Sequence, residues 1–199
     1  VELAAEFSCA RATINRALRE LAETGILDRR RKAGTRVSLN PVRKATLDIP
    51  VTRLEVESRG STYRHKLLET HQVSAPSHVI ARMNLPLGQK VLHLKCLHLA
   101  DDTPFLYEDR WVNLTAAPSI LRAPLDSISA NEWLVQNVPI SGGDIAFSAE
   151  TATVADATAL NIAPGSALFV IERLTFMAAV TVTQVRLAYM PGYRMTTHI

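Results

Sequence analysis

The sequence predicts an α+β protein with a small helical N-terminal part and a larger part built on an antiparallel sheet. Apolar residues recur at helical spacing in the first 22 residues, and long strand-like segments alternate with short helical ones after Pro50. The charge divides in the same region. Residues 1–46 contain ten Lys/Arg against five Asp/Glu, a net charge of +5, whereas the remainder carries −2. A length of 199 residues with 47% hydrophobic and 21% charged residues fits one or two globular domains.

The composition excludes several classes of protein. No apolar run approaches the roughly 18 residues needed to cross a bilayer, and the first residues lack the pattern of a secretory signal. The two cysteines, Cys9 and Cys96, are too few for a disulfide framework or a four-ligand zinc site. We therefore expect a cytoplasmic protein with no membrane segment, no metal and no other cofactor.

The first 38 residues predict a winged helix-turn-helix. Leu3, Ala4 and Phe7 form one short apolar stripe, and a second stripe at offsets of three and four ends before Gly25, a residue typical of helix ends. This second stripe consists of Ile14, Ala17, Leu18, Leu21 and Ala22. The basic run Asp28 to Lys32 and the glycine at position 34 then favour two short strands around a tip. Residues 39–50 contain two prolines and no periodicity, so we expect a linker there.

The second of these helices carries the residues expected to read DNA. Arg11, Thr13, Asn15 and Arg16 stand at its N-terminal end, away from the apolar stripe, and such side chains bind base edges and phosphates. The basic residues of the hairpin, together with Arg36, are suited to neutralising phosphates. The alternative interpretation is a helical hairpin with a solvated charged face.

Residues 51–199 predict an antiparallel sheet with short helices. Strands are expected over 62–73, 91–100, 105–112, 145–154, 168–176 and 181–190, with helices over 76–83, 131–137 and 156–160. The segments 91–100 and 105–112 are expected to form a hairpin about Asp101-Asp102. This part contains no catalytic motif and no Gly-rich phosphate loop.

One strand in this part carries charges on the face that should point inward. A period of two places Leu106, Glu108 and Arg110 on one face and Tyr107, Asp109 and Trp111 on the other. A buried Glu and Arg need partners, so they either pair with neighbouring groups or line a polar pocket. His93 and His98, five residues apart on the preceding strand, should face opposite sides and cannot chelate together.

The N-terminal residues resemble the DNA-binding domain of the GntR family. The resemblance rests on Glu2-Leu3-Ala4, on Arg11 through Leu21 with Thr13-Ile-Asn15-Arg16, and on Gly25-Ile-Leu27 and Gly34-Thr35. It implies that Arg11, Thr13, Asn15, Arg16, Arg30, Arg31, Lys32 and Gly34 contact DNA. The chain is expected to begin inside this domain, with its first helix missing. Ala10 stands where the family usually has Ser, a change that removes an N-cap hydroxyl.

The rest of the chain resembles the UTRA effector domain of the HutC branch of that family, a fold similar to chorismate lyase. The quoted segments are Ala100-Asp101-Asp102-Thr-Pro104, Glu108-Asp109-Arg110-Trp-Val-Asn113, Ala163-Pro-Gly165 and Arg173-Leu-Thr175. The segment Glu108-Asp109-Arg110 followed by Val-Asn, the segment Thr13 to Leu18, and Val182-Thr183 are particularly similar to the subgroup of histidine-utilization repressors, which implies repression of histidine-degradation genes relieved by urocanate. The family's pocket falls here on His98, Glu108, Ser129, Asn131, Thr183, Arg186 and Tyr189, with Cys96 nearby, and we expect Arg110 to belong to the effector site as well.

The resemblance also implies how the effector is held. Sugar-phosphate-sensing relatives have arginines at the positions of Cys96 and His98, so a phosphorylated sugar is disfavoured here. Arg110 or Arg186 would bind the carboxylate of urocanate, and Glu108, His98 or Tyr189 its imidazole.

We accordingly expect a homodimeric repressor, not an enzyme, that binds an inverted-repeat operator in double-stranded DNA. The alternatives are a regulator of the same architecture that senses another small carboxylate or an amine and, more remotely, a chorismate-lyase-like enzyme.

Overall fold

The computed structural model describes residues 2–23, 27–30, 34–37 and 51–196. These residues divide into two compact units, an N-terminal unit up to Val37 and a C-terminal unit from Val51 to Met195. The predicted linker and the predicted helix stop at Gly25 lie outside the described residues.

The N-terminal unit contains two helices followed by a two-stranded antiparallel hairpin: α1 (Glu2–Glu6), α2 (Arg11–Glu23), β1 (Leu27–Arg30) and β2 (Gly34–Val37). The chain turns between the helices at Ser8, whose φ of 49° is left-handed. The backbone N–H of Cys9 closes this turn by donating to the carbonyl of Ala4 at 3.1 Å. The predicted helix-turn-helix and hairpin are confirmed.

The C-terminal unit is a six-stranded antiparallel sheet in the order β3-β4-β5-β8-β7-β6, with short helices on both faces. Its elements are α3 (Thr52–Ser58), β3 (Tyr63–Ser74), α4 (Ser77–Met83), β4 (Lys90–Ala100), β5 (Thr103–Asn113), a 3₁₀ helix (Pro118–Arg122), α5 (Ala130–Asn137), β6 (Gly142–Thr151), α6 (Val154–Leu160), β7 (Ala167–Met177) and β8 (Val180–Tyr189). The predicted α+β class is confirmed.

The central hairpin turns where the two aspartates predicted it. Asp101 and Asp102 both have positive φ, 50° and 62°, the backbone of a two-residue turn whose twist matches that of the flanking strands. The Asp101 carboxylate also accepts a 2.8 Å hydrogen bond from the backbone N–H of Thr62. This bond holds the start of β3 against the turn.

Helices cover the two faces of the sheet unequally. On one face, called here the α5 face, Trp133 and Leu134 of α5 pack with Leu92, Leu94 and Val112 of the central strands. On the opposite face, α4 packs through its buried Val79 and Met83, and α6 packs through Leu160. The α5 face is the one that carries the inward-pointing charges of β5.

Three predicted boundaries need correction. The strand predicted over 145–154 begins earlier, at Gly142, and ends at Thr151. Val154 is instead the first residue of α6, because Thr153 and Asp156 form a capping box that starts a helix there. Two short elements, α3 and the 3₁₀ helix, were not predicted.

Candidate functional site

The N-terminal end of α2 presents an exposed polar surface. Arg11, Thr13, Asn15 and Arg16 are all exposed, whereas Ile14 is half-buried. Arg16 donates to Glu20 at 3.1 Å, an exposed pair one turn apart. The four predicted DNA-reading residues of α2 are therefore all accessible in the first two turns of the helix.

The hairpin supplies the second part of this surface. Arg30 and Gly34 face each other in the register of β1 and β2, next to the tip of the hairpin. Thr35 and Arg36 on β2 are exposed. The predicted contacts Arg31 and Lys32 lie outside the described residues.

A buried charged network lies on the α5 face of the C-terminal unit. The Glu108 carboxylate accepts a 2.6 Å hydrogen bond from Arg110 Nε through one oxygen and lies 3.2 Å from His98 Nε2 through the other. All three side chains are at most 1% exposed. Burial alone would raise the pKa of Glu108, but the Arg110 guanidinium and the His98 contact hold that pKa well below its usual value. Glu108 is therefore a buried carboxylate that stays ionised.

The network continues to both sides of Glu108. The Tyr63 hydroxyl lies 2.8 Å from His98 Nδ1. Arg110 donates through its Nη atoms to Thr183 at 3.3 Å and to Asn131 at 3.5 Å. Asn131 lies in the first turn of α5, so the start of this helix is fixed to the charged centre of the sheet.

An open cavity of about 650 Å³ lies beside this network. Tyr63 and Ser129 belong to its wall, as do Arg53 of α3 and Glu132 of α5. Ser129 caps α5 by accepting from the backbone N–H of Glu132 at 3.2 Å. Burial raises the pKa of Tyr63, against a hydrogen bond with Ser129 that lowers it, so the hydroxyl remains a neutral donor and acceptor. Tyr63 thus connects the wall of the cavity to His98.

Most of the predicted pocket residues lie together on the α5 face. His98, Glu108, Arg110, Asn131 and Thr183 are joined by the contacts above, and Ser129 lies at the cavity next to them. Tyr189 is also buried, but it packs in an aromatic cluster with Phe105, Phe169 and Tyr193. Cys96 is buried opposite Glu108 in the register of β4 and β5.

Arg186 lies elsewhere. It donates to Asp156 at 2.7 Å and to Glu150 at 2.9 Å, and it stands beside Asp109 in the β5–β8 register, on the face opposite Glu108. Arg186 does not reach the network, because side chains alternate along β8 and Arg186 points to the face opposite Thr183 and Tyr189.

Arg173 of β7 was missed as a site residue. It is 3% exposed and donates to the same Asn131 oxygen as Arg110. Burial and the neighbouring Arg110 charge lower its pKa to about 10. The sequence contained a signal for it, since the two-residue period of the strand places Arg173 on the same face as Ile171 and Thr175, which are both buried.

The described part of the chain contains no group of three or more His, Cys, Asp or Glu side chains placed to hold a metal ion. None of its helices is long and apolar enough to span a membrane.

The two units together have the architecture of bacterial transcriptional regulators that join a winged helix-turn-helix to a second domain. Residues 1–37 match the family of bacterial regulatory proteins called gntR, and residues 58–196 match the UTRA domain. The chain belongs to the GntR family of regulators that carry a UTRA domain.

Individual relatives align along nearly the whole chain. The histidine utilization repressor of Pseudomonas aeruginosa is 32% identical over 97% of this chain and 77% of its own length. The repressor of the same name from Klebsiella aerogenes is 28% identical over 97% of this chain and 80% of its own length. The crystal structure of the C-terminal domain of the histidine utilization repressor from Pseudomonas syringae superposes with a TM-score of 0.64 at 26% identity, covering 69% of this chain and 98% of that one.

Proposed function

We propose that this protein is a transcriptional repressor of histidine-degradation genes that is released from its operator by urocanate. The observation that carries the proposal is the alignment with histidine utilization repressors over 97% of the chain. The buried network beside the cavity supports it, because the network contains charges of both signs. Such a site suits a small ligand with an anionic end and a nitrogen-containing end.

Urocanate is an imidazole ring joined to an acrylate. Its ring nitrogens need an acceptor and a donor. Glu108 can accept from one of them, and His98 can serve the other by exchanging its contact with Glu108 at 3.2 Å or with Tyr63 at 2.8 Å. Its carboxylate needs a cation, and the network contains buried arginines. A dianionic sugar phosphate would find Cys96 and His98 on β4 instead of further cations.

The DNA-binding step uses the surface on α2 and the hairpin. Arg11 and Asn15 have the groups that bind guanine and adenine edges in the major groove, and Arg36 is suited to a phosphate. Two such surfaces in a homodimer engage the half-sites of an inverted repeat.

The edge strand β6 supports a homodimer. All of its residues except Ile145 and Glu150 are exposed, it contains no lysine or arginine, and Phe147 is 43% exposed. The other edge strand, β3, carries Arg64, Lys66 and Glu69, charges of the kind that prevent edge pairing. The β6 edge carries only the two acidic residues Asp144 and Glu150 and no cation. It is therefore less protected than β3 and suits antiparallel pairing with its own copy about a two-fold axis.

Thermal unfolding of the full chain with and without urocanate tests the effector assignment. Ligand at 100 times its Kd adds about 2.7 kcal/mol, a rise of roughly 5–10 °C in Tm for a chain of this size. Cinnamate, which has a phenyl ring in place of imidazole, and histamine, which has no carboxylate, are the controls. An equal shift with either control, or no shift with millimolar urocanate, contradicts the assignment.

The repressor role is tested by fluorescence anisotropy with DNA from upstream of histidine-degradation genes. Urocanate should weaken DNA binding by the same factor by which DNA weakens urocanate binding. Binding that urocanate leaves unchanged argues for a regulator that answers to another small carboxylate or an amine.

A further inference from the structure

Arg173 is a buried cation whose hydrogen-bonding capacity is only partly used. It faces Val185 in the β7–β8 register, and Val185 faces Arg110 in the β5–β8 register, so the two arginines lie in one row across the α5 face. An Nη atom of Arg173 donates to Asn131. Its Nε is buried and donates to no acceptor among the described residues. A buried donor without an acceptor is costly, so Arg173 Nε gains a hydrogen bond if a ligand brings an acceptor to it.

The charges of the network do not balance. Glu108 is matched by Arg110 at 2.6 Å, whereas the contact of Arg173 in the network is a neutral amide oxygen. The group of Glu108, Arg110 and Arg173 carries one excess positive charge in the interior. Such a charge is expensive unless an anion offsets it. The lowered pKa of Arg173 has the same cause, since burial and Arg110 both disfavour its charged form.

The other two arginines expected to bind a carboxylate are already engaged. Arg110 uses Nε and both Nη atoms on Glu108, Thr183 and Asn131. Arg186 is bound to two carboxylates on the opposite face of the sheet. Arg173 therefore has the greatest capacity for a new anion.

We propose that Arg173 is the residue that binds the carboxylate of the effector, and that the site is therefore specific for a monoanionic carboxylate. This inference rests on the proposed role of the buried network as the effector site. The carboxylate takes the Nε donor and replaces the Asn131 oxygen as acceptor at Nη. The exchange removes one of the two arginine contacts of Asn131, so binding at Arg173 acts directly on the first turn of α5.

The test measures binding to the full-length Arg173→Gln variant with three probes: urocanate, its primary carboxamide, and acetate at tens of millimolar against equal chloride. Arg173→Gln should raise the Kd for urocanate by about 30-fold or more and leave the Kd for the carboxamide unchanged. It should also remove any stabilisation by acetate. The matched control Arg186→Gln removes an arginine from the other face and should keep urocanate affinity within about threefold.

The stability of the unliganded variant separates this role from a structural one. Removal of an unbalanced buried charge should leave its Tm unchanged or raise it, whereas loss of a structural contact lowers it. If Arg173→Gln does not fold, wild-type protein still decides: equal affinity for urocanate and its carboxamide overturns the inference.

The outcomes also separate this inference from the proposed function. Urocanate binding that survives in Arg173→Gln overturns the inference and leaves the repressor assignment standing. Acetate stabilisation that depends on Arg173, without urocanate binding, supports the inference and overturns urocanate as effector. Wild-type protein that responds to neither carboxylate overturns the inference.

Discussion

Replacement of Glu108 by glutamine should destabilise the C-terminal unit severely. The variant keeps the shape of the side chain but removes the carboxylate charge that Arg110 contacts at 2.6 Å and that lies near Arg173. Breaking a buried ion pair by removing one partner costs about 3–5 kcal/mol, because the other charge stays buried. That loss lowers Tm by roughly 6–20 °C for a protein of this size.

Urea unfolding monitored by tryptophan fluorescence measures this loss in the relevant unit, since both tryptophans, Trp111 and Trp133, lie in the C-terminal unit. The matched control is Glu172→Gln, which removes a glutamate on β7 that pairs with Arg82 at 3.4 Å in solvent. That exposed pair should contribute less than about 1 kcal/mol. A loss for Glu108→Gln no larger than for Glu172→Gln would refute the reasoning.

The same variant should change the response to acid. The pKa of Glu108 is lower in the folded protein than the value of about 4.3 in an unfolded chain. Its ionised form therefore stabilises the fold fully above pH of about 4.3, and this stabilisation is lost as the pH falls toward the folded-state pKa. Between pH 5 and pH 3, wild-type stability should fall more steeply than that of Glu108→Gln, and parallel curves would contradict this.

Two other predictions concern the proposed DNA complex and the dimer. Arg36→Ala should weaken binding to all DNA sequences alike and should reduce the slope of log affinity against log salt concentration by about one. Asn15→Ala should instead weaken mainly the binding to operator DNA. Titrations of operator and random DNA at several salt concentrations measure both effects, and equal losses on the two DNAs for Asn15→Ala would contradict base recognition. Ala146→Lys places a charge on the exposed β6 edge and should convert the dimer to monomer in sedimentation, while Lys66→Ala on the other edge strand should leave it dimeric. An unchanged sedimentation coefficient for Ala146→Lys would exclude pairing through β6.

The strands could be predicted from the sequence because the sheet is antiparallel and its α5 face is covered by a short helix. On β5, this arrangement forces Leu106, Glu108 and Arg110 inward at every second position. The turn residues Asp101 and Asp102 then determine where the hairpin reverses. These signals are local, and the tertiary structure does not override them.

α3 could not be predicted in this way, because it is short and held mainly by distant residues. It has one completely buried apolar residue, Val56, and its Arg53 binds Glu132, 79 positions away, at 2.6 Å. Its Glu55 also accepts a 2.6 Å hydrogen bond from Tyr193. Helices of this length depend on tertiary contacts, and the periodicity of apolar residues along the sequence does not reveal such contacts.

The residues that form the site could be predicted in part from the sequence, but the contacts among them could not. Strand alternation alone separates Arg186 from Thr183 and Tyr189. The convergence of Arg110 and Arg173 on Asn131 depends on how α5 lies over the sheet, which the order of residues along the chain does not express. A buried arginine on an inward-facing row was the available signal for Arg173.

Glu132 of α5 connects this helix to α3. Its backbone N–H is held by the Ser129 cap at the cavity, and its carboxylate accepts from Arg53 near the beginning of α3. α3 is seven residues long and so spans about 10 Å. It is the first helix of the C-terminal unit in chain order. A rotation of the first turn of α5 would therefore be transmitted through the Glu132 side chain to the helix that follows the predicted linker.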